Sequence, residues 1–240
     1  MALDTGILAG ITALTEISCP GWGSQYFYLL PFTLHLEPMT LSSSQQIVLA
    51  SSNLGKIKEI QAILAAHLIV PQSVFNVIDA EETGSTFVEN AIIKARNAAL
   101  HCKSPAIADD SGLVVDVLKG APGVISARYA GVDASDQDNV LKLLQELEGI
   151  PDEQRTARFI CVMVFMEHAK DPFPVIAQGV WEGRILNHAI GTNGFGYDPV
   201  FWVPEHKCAS AELSAVDKNS ISHRGQALRS LTTLIKAREW

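Results

Sequence analysis

Two adjacent carboxylates, Asp109 and Asp110, close the apolar run Pro105-Ala-Ile-Ala108 and lead into Ser111-Gly112. A short apolar run of this kind reads as a buried strand, and acids at its end point into a cleft. Adjacent charges there are costly to bury unpaired, so the fold must bring them a cation or backbone donors, unless they cap the following turn.

The segments around this strand alternate between the two periodicities. Gln46-Ile-Val-Leu-Ala-Ser51 reads as a buried strand, Asn53-Leu-Gly55 as a tight loop, and Ile57, Ile60, Ile63 and Leu64 as the inner face of a helix. Thr86-Phe-Val-Glu89 is a capping box opening a helix through Ala91, Lys94, Ala95 and Ala98, whose small residues suit close packing. Gly112 to Leu118 reads as a further extended run. Val140, Leu141, Leu144 and Leu147 make an amphipathic helix stopped by Gly149 and Pro151. Ala157–Met166 and Val175–Gly183 read as neighbouring antiparallel strands, Val200–Val203 as a short one, and His223–Arg238 as a closing helix with Leu228, Leu231, Leu234 and Ile235 inward. The expectation is one mixed α/β domain over residues 45–240, a helical lobe and a β lobe flanking a cleft.

Composition narrows the function. Eighteen basic against 26 acidic residues leave a formal charge of −8, which argues against a nucleic-acid surface, although a few cations converging in one cleft can still bind a small anion. Cys19, Cys102, Cys161 and Cys208 are scattered with no C-x-x-C pair, so neither zinc nor a disulfide framework is indicated and a reducing cytoplasm fits. Residues 1–44 hold no Lys or Arg, unlike a secretory or transit peptide, and the uncharged stretch 17–36 is interrupted by Pro20, Gly21, Gly23, Pro31 and His35, unlike a membrane span. This stretch reads as an N-terminal extension, either disordered or a mis-assigned start with Met39 as the true first residue.

Four groups of residues can carry chemistry. Ser51-Ser-Asn53-Leu-Gly-Lys56 places a hydroxyl, an amide and a lysine at a helix N-terminus, an anion cradle suited to a triphosphate, though not the G-x-x-x-x-G-K-[ST] loop. Glu81, Glu82, Asp109 and Asp110 form two acid pairs on separate elements, hard ligands suited to Mg²⁺, which takes one or two carboxylates and fills its shell with water and phosphate oxygens. Gly191-Thr-Asn-Gly194-Phe195-Gly196-Tyr197-Asp198-Pro199 sets two aromatics among glycines, where a ring can stack on a base. Ser220-Ile-Ser-His223-Arg224-Gly225 reads as the opening of the last helix with Lys218 just before it, and Lys218 with His223-Arg224 can hold a phosphate or donate to a base carbonyl. Each has a plainer reading alone: a capped turn, a solvated acidic run, a structural turn with a core Phe, a capping serine beside surface cations.

Together, S-x-N-x-x-K-x-x-E, E-E-T-G-x-T-F-x-E-N-A, A-D-D-S-G-L, G-x-x-G-F-G-Y-D-P and K-x-x-x-S-H-R-G run in order from about Ile47 to Ile235 and resemble the inosine/xanthosine triphosphate pyrophosphatase family. The resemblance implies a long central mixed sheet flanked by helices, a cleft between two lobes, and a homodimer. It implies that residues 45–240 are a pyrophosphatase domain cutting ITP, dITP and XTP to the monophosphate and pyrophosphate. Ser51, Ser52, Asn53, Leu54, Gly55 and Lys56 would bind the triphosphate. Glu82 and Asp110 would hold Mg²⁺, with Asp110 also the general base. Lys94 and Ser111 would contact phosphates or sugar, and Phe195, Gly196, Tyr197, Asp198, Lys218, His223 and Arg224 the base. Water deprotonated by Asp110 would attack the α-phosphorus while Lys56 and Lys94 offset charge on the leaving pyrophosphate. Selectivity would rest on the 6-position, where His223 and Arg224 donate to an oxygen and cannot satisfy an amine. The competing readings are a septum-inhibitor-type pyrophosphatase for modified pyrimidine nucleotides, a haloacid-dehalogenase-like phosphatase, whose D-x-D motif is absent around Asp109, and a non-catalytic nucleotide-binding module.

Overall fold

The computed structural model describes residues 46–64 and 68–238; the extension expected over residues 1–44, the alternative start at Met39 and Cys19 lie outside the described residues. The chain runs β1 (Ile47–Leu49), α1 (Leu54–Ile63), β2 (Ile69–Pro71), α2 (Phe87–Cys102) and β3 (Ala106–Val115). It continues through α3 (Asp136–Glu146), β4 (Thr156–Met166), β5 (Val175–Ile185), β6 (Phe201–Val203), β7 (Cys208–Ala209), α4 (Ala215–Ile221) and α5 (His223–Ala237), with short 3-10 turns between. All seven strands form one mixed sheet in the order β2-β1-β3-β4-β5-β6-β7, parallel across β2, β1 and β3 and antiparallel from β3 onward.

The three apolar clusters follow from strand alternation. Leu49, Ile107, Cys161 and Met163 point to one face and pack with Ile57 and Ile60 of α1 and Leu228 and Leu231 of α5. Val48, Ala106, Ala108, Val162 and Val164 point to the other and meet Ala91, Ala95 and Ala98 of α2, all buried. The expected capping box of α2 is present, Thr86 accepting from the Glu89 amide and Glu89 from the Thr86 amide. Farther along the sheet, Leu113, Phe159, Trp181 and Phe201 form a third cluster with Val140 and Leu143 of α3.

Four expectations are corrected. Asp109 and Asp110 do not end a strand: β3 runs through them to Val115, because buried cations neutralise Asp109 and Lys94 meets Asp110, so the ladder with β4 continues unbroken. In α3, Leu143 rather than Leu141 faces the core; Leu141 is 49% exposed and Leu143 fully buried. In α5, Leu234 is 43% exposed, the inward face being His223, Ala227, Leu228, Leu231 and Ile235. Ser220 lies in α4, a helix the apolar pattern does not announce because its one buried residue is Lys218, and Ser222 caps α5 by accepting from the Gly225 amide.

The register also sets where ligands can enter. β1 pairs with β3 only at Val48↔Ala106 and Leu49↔Ile107, so beyond Ile107 β3 outruns β1 and the loop after β1 lies beside Asp109–Ser111. Order 2-1-3, with α1 and α2 on opposite faces, makes this the topological switch point where doubly wound sheets open a crevice. The orientation of α3 gives a direct test. Leu143→Ala should lower unfolding free energy by about 2–5 kcal/mol, and Leu141→Ala by less than about 1 kcal/mol, in urea titrations.

Candidate active site

Alternation separates the two acids of β3. Asp109, on the α1/α5 face, is 1% exposed and receives Lys56 of α1 at 2.9 Å, the Ser111 hydroxyl at 3.1 Å and Arg224 of α5 at 3.6 Å. Burial alone would raise its pKa; Lys56 and Arg224 outweigh that and hold the carboxyl well below the usual range. Arg224 also donates to Ser111 Oγ at 3.0 Å and pairs with Glu59, which takes Lys218 at 3.1 Å. Glu59 therefore joins α1 to both cations of the α4–α5 junction. Asn53 caps α1, its side chain accepting from the Lys56 amide at 3.1 Å, which leaves the helix N-terminus facing Ser111.

Asp110 points to the α2 face. Lys94 Nζ lies 2.7 Å from Asp110 Oδ1 and 3.0 Å from Glu82, and Arg128 meets Glu82 at 3.0 Å. Burial pushes the Asp110 carboxyl up, while Lys94 pulls the other way. Burial disfavours the charged Lys94, yet Asp109, Asp110 and Glu82 hold its pKa above that of an ordinary lysine. Asp110 Oδ2 is buried without a hydrogen-bond partner. Such an orphaned oxygen, on a carboxylate that shares Lys94 with Glu82, fits a divalent cation that needs only one or two protein ligands. Among the described residues no group of three His, Cys, Asp or Glu side chains gathers as a metal cage. Glu81 is exposed and stands apart from this cluster.

The residues expected to contact the base converge on the α1/α5 face. Gly179 lets the first turn of α5 lie on β5, since a Cβ there would meet the His223 carbonyl oxygen at 2.0 Å. The His223 ring stacks on Phe159 with centroids 4.8 Å apart and on Trp181 at 6.3 Å. Burial, with Arg224 and Lys218 adding to it, drives its pKa well below the usual value, so the imidazole is neutral. The expectation that His223 only donates is thereby corrected: a neutral ring carries one donor and one acceptor nitrogen. Its Nδ1 and the Nε of Arg224 are buried without partners.

Most of the expected site residues meet here. Asn53, Lys56, Ser111, Phe195, Gly196, Tyr197, Asp198, Lys218, His223 and Arg224 line one cavity of about 100 Å³, and Glu82, Lys94 and Asp110 group behind it across β3. Ser51 is buried and accepts from the Asn53 amide, while Ser52 and Leu54 are exposed on the loop. The Phe195 ring lies against Gly55, where a Cβ would stand 2.8 Å from Cδ1, with Lys218 and Arg224 at 5.0 and 5.7 Å from its centroid. Asp198 takes Lys218 at 2.6 Å, the Phe195 amide at 2.8 Å and the Ser210 hydroxyl at 2.8 Å, so it fixes the glycine loop and Lys218 together. Tyr197 is buried and donates to the Ser126 carbonyl at 2.8 Å. Glu59, Arg128 and Asp136, which accepts from the Gly196 amide at 2.7 Å, have no role assigned from sequence; the i+3 spacing of Glu59 from Lys56 is the one signal available.

Residues 47–234 match the model of the Ham1 family. The chain is 58% identical over 193 residues to the dITP/XTP pyrophosphatase of Photobacterium profundum, covering 80% of this chain and 98% of that protein. It is 57% identical over 194 residues to the dITP/XTP pyrophosphatase of Vibrio cholerae, with 80% and 97% covered. Among solved structures, a HAM1 protein from Coxiella burnetii superposes with a TM-score of 0.75 at 53% identity, covering 80% of this chain and 99% of that one. The Staphylococcus aureus Ham1 protein gives 0.73 at 40% identity, with 81% and 100% covered.

The Asp109 network makes a prediction of definite sign. Asp109→Asn leaves Lys56 and Arg224 without their shared counter-charge and should cost about 3–5 kcal/mol at pH 7. A carboxyl whose folded pKa is depressed stabilises fully above its unfolded pKa of about 3.9 and less as pH falls toward the folded value. The difference between wild type and Asp109→Asn in denaturant titrations should therefore be constant from about pH 8 to 5 and shrink below about pH 4.

Proposed function

Because the chain belongs to the Ham1 family, we propose that it hydrolyses non-standard purine nucleoside triphosphates, ITP, dITP and XTP, to the nucleoside monophosphate and pyrophosphate, clearing them before incorporation into DNA or RNA. The observation that carries this reading is the meeting, at Asp109–Ser111 of β3, of a lysine-bearing helix N-terminus on one face with the orphaned Asp110 oxygen on the other. The triphosphate docks on the Ser51–Lys56 loop, where α1 amides and Lys56 attract anionic oxygens. The base enters the cavity lined by Phe195, His223 and Arg224, with Gly196, Tyr197, Asp198 and Lys218 shaping it.

In the reaction Asp110 accepts a proton from water, the water oxygen forms a bond to the α-phosphorus, and the bond from that phosphorus to the bridging oxygen breaks, its electron pair leaving with pyrophosphate. Burial, which raises the basicity of Asp110, suits it to this proton transfer. Lys56 and Lys94 offset charge on the leaving group, and Ser111 orients a phosphate or sugar oxygen. Mg²⁺, held by Glu82 and Asp110, would supply neutralisation and polarisation of the phosphate oxygens. The homodimer rests on the family resemblance. The cytoplasmic setting rests on the substrate pool and on the free thiols Cys102, Cys161 and Cys208. No helix among the described residues is long and apolar enough to cross a membrane.

Pyrophosphate release from ITP, XTP, dITP, ATP, GTP and dTTP, with Mg²⁺ and with EDTA, tests the reading. Rapid Mg²⁺-dependent turnover confined to the inosine and xanthosine nucleotides is expected; release of single phosphates, or none, refutes it. Asp110→Asn should lower kcat by about a hundredfold or more while the circular dichroism spectrum is retained.

A further inference from the structure

Asp79 lies in the segment between β2 and α2, three residues before Glu82. One of its carboxylate oxygens accepts the Ser52 hydroxyl at 2.7 Å and the other the side-chain amide of Gln72, itself 4% exposed at the end of β2. Three stretches of chain therefore meet on one carboxylate: the loop after β1, the end of β2, and the segment that carries Glu82. The same segment is held to α2 by Asn97, which donates to the Ile78 carbonyl at 2.9 Å, and by Asn90, which accepts from the Gly84 amide at 2.8 Å.

A negative group beside a triphosphate loop opposes anion binding unless it performs another task. Both oxygens of Asp79 are engaged, and each bond crosses from one segment to another. The Ser52 hydroxyl has one proton, and while it is given to Asp79 it cannot also donate to a phosphate.

We propose that Asp79 is a positioning residue that sets the Ser51–Lys56 triphosphate loop against the Glu82-bearing segment on the far side of β3. The proposal rests on the functional reading above. In-line attack needs the phosphates, held from one face, and the acids, held from the other, in one geometry, and misplacement by about 1 Å costs about a hundredfold in rate. A hydrogen-bonded tether at an exposed loop controls part of that displacement, and loss of about tenfold in kcat/KM is expected when it is cut.

The test is a cycle in the full chain with ITP and Mg²⁺: D79A, D79N, S52A, and D79A combined with S52A. D79A and S52A should each lower kcat/KM about tenfold, and the double variant should be no worse than D79A, because D79A already removes the one contact that S52A removes. D79N keeps an acceptor for Gln72 and a polar partner for Ser52 and should stay within about threefold of wild type. Multiplied losses in the double variant, D79N as impaired as D79A, or wild-type kcat/KM in D79A or S52A would each overturn the proposal. Should D79A fail to fold, S52A and D79N decide the matter by the same criteria. Wild-type turnover, measured alongside, reports on the pyrophosphatase reading separately.

Discussion

A carboxylate in the middle of a sheet, 1% exposed, has to be matched by positive charge before strands and helices can close over it. For Asp109 the match comes from Lys56 on α1 and Arg224 on α5, elements far apart in sequence. Their helices pack on one face of β1, β3 and β4, so the ion pairs and the apolar cluster beneath them depend on one another. The energetic return from such buried pairs is small once desolvation is counted, and their larger effect is geometric. They set the N-terminal ends of α1 and α5 at fixed positions over the same strand residue.

The pleat then divides the labour. Successive side chains point to opposite faces, so Asp110 cannot share the Lys56–Arg224 site and meets Lys94 and Glu82 instead. Because β3 outruns β1 at this point, both faces are reached from the same gap in the sheet. The switch point of a doubly wound order opens that gap in many α/β folds. Here it places a structural carboxylate and the proposed catalytic one side by side, with different environments and opposite pKa displacements.

Much of this is legible in the sequence because it is local. The strand–loop–helix at residues 46–64, the Thr86–Glu89 box and the long antiparallel pair follow from periodicity and capping chemistry. The short edge strand β2, two apolar residues and a proline, lacks the length to show alternation, and α4 buries a lysine where a helix pattern expects an apolar residue. A strand break after Asp109 is expected only if both acids face solvent; the counter-ions of Asp109 lie 53 residues before it and 115 after, beyond any local signal. The site residues are legible as a set, but their grouping is not: nothing in adjacent letters tells that Asp109 is the counter-ion of Lys56 and Arg224 while Asp110 meets Lys94 on the other face, each keeping one buried oxygen without a hydrogen-bond partner. The functions of Glu59 and Asp198 as ion-pair partners of Lys218 and Arg224 emerge only once α4 and α5 are folded against α1.

Under the proposed function, the electrostatics that bury Asp109 also shape base recognition. Arg224 pairs with Asp109 and Glu59, and burial, with Arg224 and Lys218 adding to it, holds the His223 pKa well below its usual value. Arg224 and His223 both line the cavity, the first as a charged donor and the second as an imidazole with one donor and one acceptor. A 6-oxygen can satisfy a donor on both residues, whereas a 6-amine can at best find the acceptor of His223 and leaves the guanidinium unsatisfied. An unpaired buried donor of this kind costs about 1–3 kcal/mol, about fivefold to 150-fold in affinity. In the proposed reading, discrimination at the 6-position is a consequence of the charge arrangement that the sheet requires in order to close over Asp109.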